Sequence, residues 1–148
     1  MTVQMSSLFQ QAWRGYFSSL LRWDDLERFW GTLRATQGPW YIYAVGEAVP
    51  AAPADSATLE KFITEIDLLL RREHDEDYCG IVYVDSTETP SLVKIYDPNN
   101  LGSSCGSSGN HPPPLPGWVL STLPPVDLQA TVALPANRRR WWQKLFTV

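Results

Sequence analysis

Cysteine, histidine and methionine are scarce in this chain, with two of each among 148 residues. Two cysteines, Cys79 and Cys105, are too few for the disulfide framework of a small secreted domain. No uninterrupted apolar stretch reaches the roughly 18 residues that a membrane-spanning helix needs. No basic region precedes an apolar run near the N-terminus, as it would in a secretory signal. We therefore expect a cytoplasmic protein without a transmembrane segment.

Positive charge is also in short supply, because 12 Lys and Arg face 16 Asp and Glu, for a net charge of −4. Four of the basic residues lie in residues 137–148, which contain no acid. The remaining 8 against 16 give residues 1–136 a formal charge of −8. Such an acidic chain is not suited to nucleic acid. We expect another protein as the partner and no nucleic acid.

The motifs that usually carry chemistry are incomplete. Residues 102–106 match the G-x-S-x-G pattern, but prolines follow where a hydrolase needs a helix. The Gly/Ser-rich stretch lacks the lysine of a phosphate-binding loop. A zinc site could in principle combine His74, Cys79, Cys105 and His111, but their spacing is not that of a zinc finger. The sequence therefore predicts no metal site and no cofactor.

The spacing of apolar residues predicts an element order of α-α-β-α-β-β-β-α within a single domain, residues 1–148. The predicted helices begin near residues 6, 24, 55 and 138, and the predicted strands cover residues 40–45, 78–85, 91–96 and 118–123. We expect an α+β two-layer sandwich, in which about four mostly antiparallel strands are covered by helices. The first two helices are predicted to form a hairpin with Trp13 and Trp30 in or near its seam.

A long uncharged segment separates the last two predicted strands. No Asp, Glu, Lys or Arg lies between Asp97 and Asp127, and residues 97–117 run from a Gly/Ser-rich part into a Pro-rich part. Connections longer than about 12–15 residues are uncommon in compact domains and are often functional. The glycines permit close backbone approach and the prolines favour an extended path. We predict that this segment is held in a defined shape and meets a partner; the alternative is a mobile surface loop without a ligand.

The C-terminal helix, residues 137–148, combines three consecutive arginines with two tryptophans. We expect it to dock on the acidic surface of its own domain, with a partner or an anionic membrane as the alternatives. Together with the long segment it supplies the predicted partner-binding residues. These are Ser104, Cys105, Asn110, His111, Trp118, Arg138, Arg139, Arg140, Trp141 and Trp142.

Three functional hypotheses follow from these patterns. The first is a small soluble, non-catalytic binding or accessory protein that acts through protein–protein contacts. The second is a thiol-dependent enzyme in which Cys105 is the nucleophile and His111 is the base, because reactivity requires the thiolate. The third is an acidic immunity-type or inhibitor protein whose acidic run, residues 73–77, masks a basic partner.

Overall fold

The computed structural model describes residues 2–36, 38–99, 115–128 and 136–146. It confirms the α+β class. In chain order, the elements are α1 (Thr2–Trp13), β1 (Ser18–Ser19), α2 (Trp23–Ala35), β2 (Tyr41–Ala44), α3 (Ser56–Glu73), β3 (Val82–Val84), β4 (Leu92–Ile95), β5 (Trp118–Ser121) and α4 (Ala136–Phe146).

All neighbouring strands of the sheet are antiparallel, and their order is β1-β3-β4-β5-β2. The described residues thus form five strands, and the prediction of about four is corrected by one. The missed strand, β1, has only two residues, Ser18 and Ser19, and both are exposed. It carries no alternation of apolar and polar residues, so nothing in the local sequence distinguishes it from a loop.

Helices pack on both faces of the sheet, which corrects the prediction of two layers. One apolar cluster joins α2, α3 and α4 to side chains such as Ile42 and Val93. A second cluster contains Phe9 of α1 together with Tyr43 and Leu92. Successive residues of a strand point to opposite faces, so Ile42 and Tyr43 mark the two sides of the same strand. The sheet is therefore the middle layer of the fold.

The predicted hairpin of the first two helices is wrong for the same reason. Trp13 packs with the cluster around Phe9, whereas Trp30 is buried in the cluster on the other face. Helix α1 ends at Trp13, and the short strand β1 intervenes before α2 begins. The chain thus passes the edge of the sheet between the two helices.

The helices with clear apolar periodicity form as predicted. Helix α2 buries its four apolar positions at helical spacing, Leu26, Phe29, Trp30 and Leu33. Helix α3 buries Phe62, Ile63, Ile66, Leu69 and Leu70. Its N-cap is Asp55, whose side chain accepts a hydrogen bond from the Thr58 amide at 2.7 Å. Each fully buried side chain of this size contributes about 1.5–3 kcal/mol of hydrophobic free energy, so burial on the sheet stabilises both helices.

Candidate functional site

Arg138 is the most unusual charged residue in the described part of the protein. It lies on α4 and is only 3% exposed. An arginine is almost never fully buried unless its charge is paired. Here the guanidinium is held between the carboxylates of Glu73, at the end of α3, and Asp97, just after β4.

Both carboxylates bind the guanidinium with two hydrogen bonds each. Arg138 donates from Nε to Asp97 Oδ2 at 2.8 Å and from Nη2 to Asp97 Oδ1 at 3.0 Å. It donates to Glu73 from Nη1 to Oε2 at 3.0 Å and from Nη2 to Oε1 at 2.7 Å. Such two-pronged, charge-assisted contacts are the strong and geometrically specific form of the Arg–carboxylate pair. Arg138 therefore fixes α4 to the ends of two other elements. We call Arg138, Glu73 and Asp97 the arginine cluster.

The arginine cluster also holds the beginning of the long 97–117 segment. The backbone amide of Asn99 donates to Asp97 Oδ1 at 2.9 Å, and the side-chain Nδ2 of Asn99 donates to Glu73 Oε1 at 2.9 Å. The other end of the segment passes close by, because a Cβ added to Gly117 would lie 3.3 Å from the Cβ of Asp97. Both ends of the segment thus meet at Asp97, and a side chain at position 117 would crowd them.

The pKa values of the cluster reflect this pairing. Hydrogen bonds from Arg138 are the largest effect on Glu73, and they outweigh the opposing effect of burial. The pKa of Glu73 falls from its ordinary value of 4.5 to about 2. Hydrogen bonding to Asp97, followed in the same direction by Glu73, raises the pKa of Arg138 against the effect of burial. Both groups therefore remain charged near neutral pH.

Aromatic contacts continue the attachment of α4 beyond Arg138. Trp141 meets Trp118 of β5 edge to face, with ring centroids 5.5 Å apart, and Trp142 meets Phe62 of α3 in the same way at 6.2 Å. Leu145 is buried in the same cluster. Edge-to-face pairs add about 0.5–1.5 kcal/mol each beyond the burial of their area. The expected docking of this helix on its own domain is confirmed, and acidic residues receive its first arginine.

The predicted partner-binding residues differ in what the structure offers. Trp118 is buried, and Trp141 and Trp142 are partly buried. Arg140 is exposed on α4. The side chain of Arg139 lies outside the described residues, as do Ser104, Cys105, Asn110 and His111. The intramolecular contacts of Arg138, Trp118, Trp141 and Trp142 are findings, whereas partner binding by these residues stays a prediction.

The residues considered for zinc and thiol chemistry are only partly described. Cys79 is 2% exposed, and burial raises the pKa of its thiol. His74 Nε2 lies 2.9 Å from the carbonyl oxygen of Cys79, so this ring closes the turn after α3. Within the described ranges, no group of three or more His, Cys, Asp or Glu is placed to hold a metal ion. Cys105 and His111, the candidates for thiol catalysis, lie outside those ranges, and their role stays a prediction.

Glu73 and Asp97 are the site residues that sequence reasoning missed. In the sequence, Glu73 belongs to the acidic run of residues 73–77, and Asp97 only marks the start of the uncharged segment. The available signal was a basic tail that needs acidic contacts, but it did not identify which of the 16 acids would supply them. They are 65 and 41 residues away from Arg138 in the chain.

Lys94 is a half-buried cation on the opposite face of the sheet. The Nζ of Lys94 donates to the carbonyl oxygen of Trp13 at 3.0 Å, and it lies 4.0 Å and 3.9 Å from the ring centroids of Trp13 and Phe17. Burial lowers the pKa of this amine. The contact joins the end of α1 to the middle of the sheet, and cation–π attraction supports it.

Comparison with known protein families, with curated proteins and with solved structures found no match for this chain. The functional argument therefore depends on the arrangement of the side chains. Of the helices in the described ranges, none is both long enough and apolar enough to cross a membrane.

Proposed function

We propose that this protein is a small non-catalytic binding protein that contacts another protein through α4 and the adjoining base of the 97–117 segment. The observation that carries the proposal is the burial of Arg138 between Glu73 and Asp97. The arginine cluster thus holds α4 in one position on the surface. It also places the beginning of the 97–117 segment beside it through Asn99.

The exposed and partly exposed residues of α4 are of the types that contribute strongly to binding at protein interfaces. Arg140 is exposed, and Trp141 and Trp142 are partly exposed beside it. Tryptophan and arginine are enriched among the few residues that contribute most to binding energy at protein interfaces. The backbone of a helix that is already ordered loses little further conformational entropy when it binds, which favours affinity. A partner that offers a carboxylate beside an apolar surface would complement this helix.

Arg140→Ala and Arg14→Ala form a matched pair for the test, because both arginines are exposed and lie in different parts of the fold. Each tagged protein is used to capture partners from cells that express the chain, and quantitative mass spectrometry compares the captured sets. Any partner specific to the wild type is then purified, and its affinity for each variant is measured by calorimetry. Arg140→Ala is expected to weaken binding by about tenfold, as for an interface residue worth above 1 kcal/mol.

Arg14→Ala should leave the affinity unchanged. If both variants keep the wild-type affinity for every captured protein, α4 is not the contact surface. Substitution is a sharper test than deletion of residues 137–148, because deletion removes Arg138, the cation that Glu73 and Asp97 both bind. It would also uncover Trp118, which is 1% exposed in the intact protein.

A second candidate is an acidic inhibitor-type protein, and the surface of residues 75–78 favours it. Asp75, Glu76 and Asp77 are all exposed, and Tyr78 beside them is 58% exposed. Glu73 contributes to the arginine cluster and is not part of this free acidic group. This candidate requires association with a basic protein, and that association should weaken steeply as the salt concentration rises. The double substitution Asp75→Asn and Asp77→Asn should weaken the association further. Binding that depends on Arg140 and ignores both aspartates would exclude it.

A further inference from the structure

Strand β1 ends the sheet on one side, and part of its main chain faces away from its neighbour β3. Ser19 is opposite Tyr83 in the ladder, and the next amide, that of Leu20, donates to the carbonyl oxygen of Val82 at 2.8 Å. Along an antiparallel strand, residues whose N–H and C=O face the partner alternate with residues whose groups face the other way. Since Leu20 bonds to β3, the N–H and C=O of Ser19 face outward. No strand of the described sheet lies on that side.

The opposite edge of the sheet, at β2, is partly covered by the chain itself. Trp40 and Ala54 form an antiparallel bridge, in which the Ala54 amide donates to the carbonyl oxygen of Trp40 at 2.8 Å. Ser18 and Ser19 of β1, in contrast, are both exposed. Proteins protect the edges of sheets with charges, prolines, a covering segment or very short strands. β1 has only its shortness, so a short segment of another chain can still pair with it.

A groove of about 310 Å³ lies beside this edge, between β1 and α2. Leu20 lines it from the strand side and belongs to the same apolar cluster as Phe29 of α2. Residues at i, i+3, i+4 and i+7 share one face of a helix. The residues of α2 that line the groove follow this spacing: Asp25, Arg28, Phe29 and Thr32. The β1–α2 groove thus has an open strand edge on one side and a helix face on the other.

The register of the sheet determines which side chains of an added strand enter this groove. Ser19 is opposite Tyr83, and Tyr83 is opposite Lys94. Lys94 contacts Trp13 of α1, so these three residues share the α1 face of the sheet. A peptide residue that pairs with Ser19 would turn its side chain to that face. The residues before and after it would turn theirs to the α2 face, where the groove lies.

The surface of the groove favours uncharged, apolar side chains at these two flanking positions. Its two charged residues, Asp25 and Arg28, form an ion pair of 2.5 Å with each other. A charged side chain of a ligand would therefore meet no unpaired counter-charge among the lining residues. Leu20 and Phe29 provide the apolar surface instead.

A second copy of this chain would fit the edge but not the groove. If two β1 strands paired through Ser19, the flanking positions would be Ser18 and Leu20 of the other copy. Ser18 is small, and Leu20 is 4% exposed because it is buried in its own core. The groove would then stay unfilled, so a peptide with two larger flanking side chains is the better occupant.

We propose that the β1–α2 groove binds an extended, uncharged peptide segment of another protein, which extends the sheet beside β1. One residue of the peptide accepts a hydrogen bond from the Ser19 amide and donates one to the Ser19 carbonyl oxygen. The apolar side chains on either side of that residue contact Leu20 and Phe29. In this mode of recognition the main-chain hydrogen bonds supply affinity, and the side-chain pockets supply specificity. No lining residue belongs to α4 or to the arginine cluster, so this test and the test of the proposed function succeed or fail separately.

The experiment titrates the full-length protein with the peptide acetyl-Ser-Val-Thr-Val-Ser-amide and follows backbone amides by two-dimensional proton–nitrogen NMR. The Ser19 amide is expected to shift saturably, and its hydrogen exchange should slow by about tenfold or more as it gains an acceptor. The Leu20 amide is the internal control, because it is already bonded to Val82. Its exchange should change little.

Three control peptides separate the contributions of the main chain and the side chains. The first carries an N-methyl group on the central threonine, which removes the donor to the Ser19 carbonyl oxygen. It should bind about tenfold more weakly, as for the loss of one hydrogen bond. The other two carry lysine or glutamate in place of both valines, and each should also bind more weakly than the valine peptide.

Two variants of the protein test the same contacts from the other side. Ser19→Pro removes the outward N–H, and proline is tolerated on an edge strand whose N–H faces solvent. Thr32→Phe narrows the groove from α2 and leaves β1 unaltered, so it remains informative if Ser19→Pro does not fold. Both should weaken binding of the valine peptide by about tenfold, measured at the amide of Phe29.

Four results would overturn the proposal. One is a Ser19 amide that does not respond to the valine peptide or is already protected in the dilute free protein. Another is equal binding of the N-methylated peptide, which would exclude strand pairing. Tighter binding of the lysine or glutamate peptide would contradict an uncharged ligand. Protection of Ser19 that rises with protein concentration, without peptide, would make a second copy of the chain the occupant.

Discussion

Replacement of Arg138 by methionine is the most informative single change to this protein. Methionine replaces the apolar stem of arginine with an unbranched apolar side chain and lacks the guanidinium. Glu73 and Asp97 then lose the cation that each of them binds with two hydrogen bonds. Breaking a buried ion pair by removing one partner costs about 3–5 kcal/mol, because the remaining charge is left uncompensated. Asp97 is the carboxylate that is left buried, whereas Glu73 is 23% exposed and keeps a contact of 3.3 Å with Arg72, so we expect a loss at the lower end of that range.

A loss of about 3 kcal/mol is a large share of the roughly 5–15 kcal/mol by which a domain of this kind is typically stable, so about a fifth or more of the stability would disappear. Urea unfolding followed by tryptophan fluorescence would measure it as a lower midpoint with a similar slope. Arg140→Met is the matched control, because Arg140 lies on the same helix and is exposed. Its effect should remain within about 0.5 kcal/mol.

The dependence of stability on pH provides an independent signature. The pKa of Glu73 is lower in the folded state, about 2, than its ordinary value of 4.5. On acidification the unfolded state therefore takes up the proton first. The contribution of the pair is complete above about pH 4.5 and is lost as the pH falls towards about 2. The wild type should lose stability in this window, and Arg138→Met should lose less, since Glu73 no longer has the guanidinium of Arg138, the largest cause of its low pKa.

Glu73→Gln is the milder variant if Arg138→Met does not fold, because it leaves the contact between Arg138 and Asp97 in place. It should be destabilised less than Arg138→Met and should show less acid sensitivity than the wild type. The reasoning fails if Arg138→Met costs less than about 1 kcal/mol, the ordinary value for an exposed ion pair. It also fails if Arg138→Met and Arg140→Met have the same effect.

Three further predictions concern other parts of the fold. Gly80 has a φ of +70°, so Gly80→Ala should lower the free energy of unfolding by about 1 kcal/mol. Gly31 lies within α2 with open space around it, so Gly31→Ala should raise the free energy of unfolding by about 0.5–1 kcal/mol. Phe9→Ala should lower the free energy of unfolding by about 3–5 kcal/mol. It should also remove hydrogen-exchange protection from α1 before α3, since Phe9 is buried against the sheet face opposite α3. In a Cys105→Ser background, Cys79 should react with Ellman's reagent only as fast as the protein opens, and rapid reaction of the folded protein would contradict its burial.

The elements with a sustained apolar period could be predicted from the sequence with little error. Helix α3 begins after Asp55 as expected, and its apolar positions are buried. The four strands with aromatic and β-branched residues also form near the predicted positions. In these segments local propensity and burial favour the same structure, so no information from distant residues is needed. The two-residue strand β1 lacks such a pattern, and it forms because β3 offers it an edge.

The position of α1 illustrates the limit of pattern reasoning. Its apolar stripe predicts that one side is buried, but the stripe does not identify the surface that buries it. Both α2 and the far face of the sheet could have supplied that surface. The structure shows Phe9 and Trp13 on the far face, where Lys94 donates to the carbonyl oxygen of Trp13. The prediction of a hairpin failed at this choice between two apolar surfaces.

The sequence by itself determined the class of fold, the approximate positions of most elements, the acidic character of residues 1–136 and the basic, tryptophan-containing helix that docks on them. Only the tertiary structure decided that Arg138 is the arginine that becomes buried, that Glu73 and Asp97 receive it, and that the open edge of β1 lies beside a groove. Local patterns indicate which side of a segment is buried and which faces solvent, because they depend on residues close together in the chain. Which charges meet depends on how the sheet brings distant segments together, and no local pattern encodes that.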